Sequence, residues 1–406
     1  MSKRVEPEIE TFARIRVVGV GGSGSNAVNH MINSKVRGVE FLSVNSDAQD
    51  LHRSLSKRKI HIGKNLTRGL GTGMNPELGK RAAEETRQQI QEALQGSDMV
   101  FITCGMGGGT GTGASAVIAK IAKEVGALVI AIVTKPFSFE GAQRKDIAER
   151  GLAELKKEVD AFIVIPNDKL LSVVEKTLSL KQAFALCDEV LREAVEGVSD
   201  IIRTPGDINT DFNDIKAVME GAGPTLMGIG VAEGDERAKE AAQRAVNSPL
   251  LDISISGAKG ILWVVAHSDD LGIMEVHEAS KIISDSVDKN AKIIWGVMKD
   301  DKLKKGQIRI IVIATGFPES AAHASHSATE RSLFSMPAEK REEERGRIYH
   351  EILKRDERTD GELEKVDAQK NSKKQEKEEP IVTATPHKRE NTPPAPEDDE
   401  TWGAIP

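Results

Sequence analysis

Cysteine is almost missing from this chain. Cys104 and Cys187 are the two in 406 residues, and they lack the spacing of a metal site or a disulfide framework, which fits a reduced compartment. An excess of positive charge is missing too: the net charge is -7, so there is no electrostatic footprint for nucleic acid. No apolar run approaches the roughly 20 residues needed to span a bilayer. The start, Met1-Ser2-Lys3-Arg4-Val5-Glu6-Pro7, lacks the apolar core of a signal peptide. The expectation is a soluble, cytoplasmic protein with no direct membrane insertion.

What the chain has in abundance is glycine, and it is concentrated. Six of the nine residues from Gly105 to Gly113 are glycine. The run sits between a strand-like segment, Met99-Val100-Phe101-Ile102-Thr103, and Ala114 to Val125, whose apolar residues recur at helical spacing. Glycines there allow positive φ and close main-chain approach, and the free N–H groups and dipole of the following helix favour an anion. Thr110 and Thr112 add hydroxyl donors. The run contains no lysine, so it is not the Gly-x-x-x-x-Gly-Lys phosphate loop.

A second cluster, Gly19-Val20-Gly21-Gly22-Ser23-Gly24, follows the strand-like Ile15 to Val18 and precedes a helix-like Ser25 to Ile32. It fits the Gly-x-Gly-x-x-Gly pattern of dinucleotide folds, and Asp47 stands close to where that pattern expects an acid on the ribose. A Rossmann-type, NAD-dependent oxidoreductase is therefore one reading. It leaves the second phosphate-type loop unused, whereas one nucleotide gripped from two sides uses both. A third cluster, Arg68 to Pro76, reads by itself as a solvent loop, although it could line the same pocket.

From Arg14 to Pro166 strand-like runs (Ile15 to Val20, Glu40 to Asn45, Met99 to Cys104, Leu128 to Thr134, Ala161 to Pro166) alternate with helical stretches. That alternation predicts an α/β fold: a parallel sheet with helices on both faces and ligands at the carboxyl ends of its strands. A long helix is predicted over Leu180 to Arg203, stopped by Pro205-Gly206. A smaller α/β unit follows, with strands at Leu226 to Ala232, Ile261 to His267, Lys292 to Lys299 and Ile308 to Thr315, and helices at Asp235 to Val246 and Met274 to Ser286. The division expected is a flexible segment 1–13, a nucleotide-binding domain 14–178, a central helix 179–203 and a second domain 204–317. Beyond it, composition predicts a disordered linker 318–395, with a charged helix within Ala338 to Arg358, and a docking peptide 396–406.

Asp211 and Asp214, three apart at the start of a helix-like stretch, ordinarily cap that helix. Two such carboxylates can also hold a cation or orient a water that attacks a phosphate. Nothing in the sequence places them near the glycine loops, so a catalytic role requires another subunit.

Taken together, Gly107-Gly108-Gly109-Thr110-Gly111-Thr112-Gly113, Val18 to Gly22, Val44-Asn45-Ser46-Asp47, Phe139-Glu140-Gly141, Ile165-Pro166-Asn167-Asp168 and Asn209-Thr210-Asp211-Phe212 resemble the tubulin/FtsZ family, in the form known from bacterial cell division. The resemblance runs from Ile15 to Phe317. It implies a cytoskeletal GTPase that polymerises head to tail into a ring at the division site, binding GTP or GDP with Mg2+ and with a monovalent cation such as K+ as an option. A nucleotide-binding filament protein without effective hydrolysis is the second alternative. The resemblance implies nucleotide contacts from Gly21, Gly22, Ser23, Gly24, Ser25, Asn26, Asn45, Asp47 and Gly71, and a phosphate grip from Gly107, Gly108, Gly109, Thr110 and Gly111. It gives ribose-side contacts to Glu140 and Arg144 and guanine-side contacts to Asn167, Phe184 and Asp188. A carboxylate at 188 suits guanine, whose N1–H and 2-amino groups both donate. Asp211 and Asp214, with Asn209, would enter the next subunit's site and complete it; no protein metal ligand is assigned. Through its tail the chain would meet membrane-tethering and regulatory division proteins. Two departures stand out: Ala116 where relatives commonly carry proline, and a terminal peptide that stops at Pro406 where relatives continue, which leaves that peptide either incomplete or unusual.

Overall fold

A computed structural model describes residues 13–171, 179–203, 206–208, 211–248, 255, 257–268, 271–300 and 302–317. The expectations for segment 1–12, Asn209, the linker 318–395 with its helix, and the peptide 396–406 lie outside the described residues.

In the first half, strands β1 (Ile15–Val20), β2 (Val39–Asn45), β3 (Arg58–His61), β4 (Met99–Gly105), β5 (Leu128–Lys135) and β6 (Ala161–Pro166) form a wholly parallel sheet in the order β3-β2-β1-β4-β5-β6. Helices α1 (Gly21–Asn33), α2 (Ala48–Arg53), α3 (Lys64–Thr67), α4 (Pro76–Glu85), α5 (Arg87–Leu94), α6 (Thr110–Glu124), α7 (Ala142–Glu158) and α8 (Asn167–Leu171) connect them. Central strands buried on both faces read as unbroken apolar runs, as Val129 to Val133 does in β5. One core joins Val18, Ile102 and Ala131 to Ile90, Ile118 and Leu152 of the covering helices.

Helix α9 (Leu180–Arg203) leads to β7 (Gly206–Ile208), α10 (Phe212–Met219), β8 (Gly223–Glu233), α11 (Arg237–Val246), β9 (Gly260–His267), α12 (Ile273–Asp285), β10 (Lys292–Lys299) and β11 (Gln307–Thr315). These strands run β8-β11-β9-β10-β7, mixed in direction, and β8 joins the first sheet through Ala161 opposite Gly223 and Phe162 opposite Pro224. Trp263, Val265, Ile310 and Val312 pack there against Ala238, Ala241 and Ala245 of α11 and Ile283 of α12.

Two features depart from the sequence-based expectation. The glycine clusters are not loops throughout: α1 begins at Gly21 and α6 at Thr110, four residues before the predicted starts, because favourable tertiary contact outweighs glycine's poor helix propensity. And β3 and β7 were not predicted. β3 is four residues long with a single buried aliphatic, Ile60, so it carries almost no alternation to detect.

Candidate nucleotide site

The site is built at the carboxyl ends of β1, β2 and β4. Gly21 takes φ +72°, and a Cβ there would lie 2.9 Å from the Gly111 main-chain nitrogen, so the two glycine-rich segments touch backbone to backbone. Ser23 Oγ accepts from the Gly105 N–H at 2.7 Å, and Thr112 Oγ1 from the Gly107 N–H at 2.9 Å. Gly108 faces open space. Gly24 and Ser25 are buried in α1, while Gly22, Ser23 and Asn26 stay exposed along the side of the helix that the solvent reaches.

The third cluster belongs to the site. Thr110 Oγ1 lies 2.7 Å from Ser46 Oγ and 3.1 Å from Thr72 Oγ1, a hydroxyl chain that ties the β2 end, the third cluster and the start of α6 together. A cavity of about 450 Å³ opens there, lined by Gly22, Asn45, Asp47, Asp50, Gly71, Thr72 and Thr110 among others. Gln49, Asp50 and Arg53, which also line it, were not anticipated, whereas Gly71, Thr72 and Gly73 come from the third cluster, whose place at the same pocket was the lesser of its two sequence readings. The repeated Gly-Thr-Gly of both clusters was the available signal. Asp47 caps α2, its carboxylate accepting from the Gln49 and Asp50 N–H groups at 2.9 and 3.0 Å, and Asn45 Nδ2 donates to Asp50 Oδ2 at 2.6 Å. Burial and the neighbouring Asp47 raise the Asp50 carboxyl above its ordinary value.

A second group of predicted residues gathers around Phe137. Its ring stacks on Phe139 at 5.0 Å and meets Phe184 edge-on at 5.4 Å. Its N–H donates to Glu140 Oε1 at 3.0 Å, and Glu140 pairs with Arg144. Gly107, at φ +99°, abuts the Arg144 carbonyl, which connects this group to the phosphate-type loop. Phe184 is 42% exposed, unusual for an aromatic with packing partners. Asp188 lies one helical turn further along α9 and has no hydrogen-bond partner among the described residues. Burial pushes its carboxyl up to about 7, against a smaller opposing pull from His30. Asn167 is buried, and its Oδ1 lacks a partner. A partnerless carboxylate and a buried, partnerless amide oxygen are costly unless a ligand supplies donors, and a base with adjacent N–H groups does so.

Asp211 and Asp214 do not join either group. They form a reciprocal cap on α10: Asp211 Oδ1 accepts from the Asp214 N–H at 2.8 Å, and Asp214 Oδ2 from the Asp211 N–H at 3.3 Å. α9 separates them from the site, its 24 residues spanning roughly 36 Å at 1.5 Å per residue. Its beginning lies by Phe137, just past the carboxyl end of β5. Its last residue, Arg203, donates to the Gly38 carbonyl at 2.8 Å, just before β2 begins. The acids are thus carried to the amino edge of the sheet, opposite the glycine loops. Among the described residues no cluster of three or more His, Cys, Asp or Glu is arranged to hold a metal ion, and no helix is long and apolar enough to cross a membrane.

Fold and site together define a two-domain, parallel-sheet nucleotide-binding protein. Residues 14–175 match the Tubulin/FtsZ family GTPase domain and residues 223–318 the FtsZ family C-terminal domain. An empty FtsZ dimer from the archaeon M. jannaschii is 46% identical with a TM-score of 0.71, covering 76% of this chain and 89% of its own. A point mutant of M. jannaschii FtsZ is also 46% identical, with a TM-score of 0.72 over 76% of this chain and 92% of its own. A GTPγS-bound protofilament of CetZ2 from Haloferax volcanii, 22% identical, shares the fold with a TM-score of 0.66 over 78% and 98% of the two chains. The chain belongs to the tubulin/FtsZ family, and within it to the FtsZ branch of self-assembling, GTP-binding cytoskeletal proteins of cell division. The archaeal matches mean that this resemblance is not restricted to bacteria. The oxidoreductase reading of Gly19 to Gly24 is not favoured.

Proposed function

We propose that this chain binds GTP between its glycine-rich segments and hydrolyses it only within head-to-tail filaments, where Asp211 and Asp214 of one subunit complete the site of the next. The observation that carries the reading is the opposed placement of the two halves of the site, loops at the carboxyl edge of the sheet and acids at the amino edge beyond α9. A chain built in this way has a complete site only at a contact that repeats in one direction, and a repeating heterologous contact produces a filament.

In this reading Gly21, Gly22, Gly107 to Gly111 and the Thr110 hydroxyl hold the phosphates. Glu140 and Arg144 meet the ribose, and Asn167, Phe184 and Asp188 read the base. Asn209, Asp211 and Asp214 orient the attacking water, and a carboxylate of the Asp pair accepts its proton. Mg2+ bound with the nucleotide would supply charge neutralisation on its phosphates. A monovalent cation such as K+ belongs to the same proposal as an option, and a ring at the division site in the cytoplasm and tail contacts with membrane tethers and regulators belong to it as well.

Sedimentation with GTP, GDP or ATP, with phosphate release followed against protein concentration, tests it. Polymer with GTP alone and turnover per subunit that rises above a threshold are expected. Concentration-independent turnover overturns the shared site.

A further inference from the structure

The two halves of the nucleotide site stand on different helices. α1 begins in the glycine-rich phosphate segment, and α9 carries Phe184 and Asp188. Positions four apart in a helix share one side, so Gly22, Asn26 and His30 form one row along α1, and Phe184 and Asp188 form one along α9. The last residue of the first row meets the sequence neighbour of the last residue of the second. His30 Nε2 donates to Glu189 Oε2 at 2.7 Å, across 159 positions of chain. His30 belongs to neither group of site residues, and its charge has no use in gripping phosphates from the far end of α1.

This contact is better built than a surface ion pair. The two side chains are 22% and 18% exposed, and Arg192 holds Glu189 from a second direction, Nε at 2.8 Å and Nη2 at 2.7 Å. The Glu189 hydrogen bond and the charges of Glu189 and Asp188 raise the His30 imidazole above its ordinary value, while burial and Arg192 oppose them. His30 is therefore close enough to Asp188 for each charge to favour the other.

α1 is the fixed member of the pair. A Cβ at Gly24 would lie 2.5 Å from the Thr103 carbonyl oxygen of β4, and one at Gly19 of β1 would lie 2.4 Å from the Gly24 carbonyl oxygen. Backbone seated on backbone in this way leaves α1, and the phosphate segment with it, no room to slide on the sheet. The first turns of α9 are more open, with Leu180 and Phe184 both exposed.

We infer that His30 is a positioning residue for base recognition: through its hydrogen bond to Glu189 it fixes Asp188 against α1, so that base and phosphates are read at one set spacing. The inference rests on the reading of Asp188 as a contact to the base. A histidine and a glutamate can tie two helices together with no further purpose. Here the tie runs from the helix that grips phosphates to the residue beside Asp188, and that placement gives it a consequence for binding. A ligand that engages the start of α1 alone is indifferent to the tie, whereas one that spans both helices must match the spacing it sets.

Equilibrium binding of GDP, ADP and inorganic pyrophosphate to the full chain tests this, with GDP in place of GTP so that hydrolysis does not enter. His30→Ala is expected to weaken GDP about tenfold, and ADP and pyrophosphate less than about twofold. Pyrophosphate binding also reports that a variant is folded. His30→Asn, whose amide stops short of Glu189, is the second variant and is expected to behave as His30→Ala does. His30→Gln keeps an N–H within reach of Glu189 and is expected to hold GDP within about threefold of the unmodified protein. A double-mutant cycle supplies the coupling: with Asp188→Asn already in place, His30→Ala weakens GDP by less than about twofold more, because the residue it positions no longer reads the base. If Asp188→Asn leaves the ratio of GDP to ADP affinity unchanged, the base reading falls and this inference with it. If Asp188→Asn lowers that ratio, three results overturn the positioning role alone: His30→Ala weakening all three ligands alike, His30→Gln sharing its loss, or the two substitutions adding in full.

Discussion

At Asp188 two demands on a single residue conflict. A carboxylate that is to accept two N–H donors from a base must first give up its proton, and burial holds that proton to about pH 7 in the free protein. The sign follows: below pH 7 a ligand that needs the ionised form competes with the proton, so GTP affinity rises up to about tenfold per pH unit and levels off above 7. Asp188→Asn removes that slope, and it weakens the preference for guanine over adenine because an amide cannot accept twice from N1–H and the 2-amino group. Titration of Kd between pH 6 and 8 checks both. Folding stability moves the other way. A carboxyl whose pKa is raised on folding makes the folded state the better proton binder, so this group lowers stability as pH climbs from its ordinary value of 3.8 through about 7, and the asparagine variant loses that decline. Gly21 is the complementary case, where geometry rather than charge decides. A side chain at φ +72° would strike the Gly111 nitrogen, so Gly21→Ala costs on the order of 1–3 kcal/mol and separates the two glycine segments, visible as a lower melting temperature together with weakened GTP binding.

Among the elements, α9 bears the most consequence, because three parts of the molecule meet along it. In its first half Glu189 accepts from His30 of α1 at 2.7 Å and from Nε and Nη2 of Arg192. Burial works against the Glu189 charge, yet these donors hold its carboxyl down at about 2. Arg192 then pairs with Glu196, which is 3% exposed, and Glu196 with Lys302 of the second domain. Arg192→Ala leaves Glu196 buried with one fewer partner and is expected to destabilise the protein by roughly 3 kcal/mol, whereas Lys302→Ala, at a half-exposed site, costs under about 1 kcal/mol; chemical denaturation of the two variants gives the comparison. The helix itself was readable in advance, from Leu180 to Arg203, because its apolar period and the Pro205-Gly206 stop are local features. The same holds for β1, β6 and β10, whose apolar runs are bounded by turn residues. What could not be read is whatever depends on a distant partner. Thr72 reaches Thr110 across 38 positions, so the third glycine cluster read as a solvent loop. β3 has too few apolar residues to announce a strand and exists because β2 offers it an edge. The start of α6 in Thr110-Gly111-Thr112-Gly113 contradicts local propensity and is held by the packing of α4 against α6.

For the whole molecule the separation of Asp211 and Asp214 from the glycine segments leads to a stricter test than loss of activity. A subunit with Asp211→Ala keeps its own nucleotide-binding half and is expected to bind GTP normally while hydrolysing it at least a hundredfold more slowly in a uniform filament. A second variant, with Thr110→Val in the phosphate grip, is intact at its acidic end and impaired at its loops. In a random equimolar copolymer, roughly a quarter of the heterologous contacts bring the intact loops of the first variant against the intact acids of the second. Turnover is therefore expected to return to about that fraction of the unmodified protein's, although neither variant alone shows it. If instead each site lay within one subunit, mixing would restore nothing, since every subunit would carry a defect in its own site. The mixture thus distinguishes a shared site from a self-contained one even if both substitutions also alter assembly, because sedimentation of the same sample reports how much polymer is present and turnover is counted per polymerised subunit.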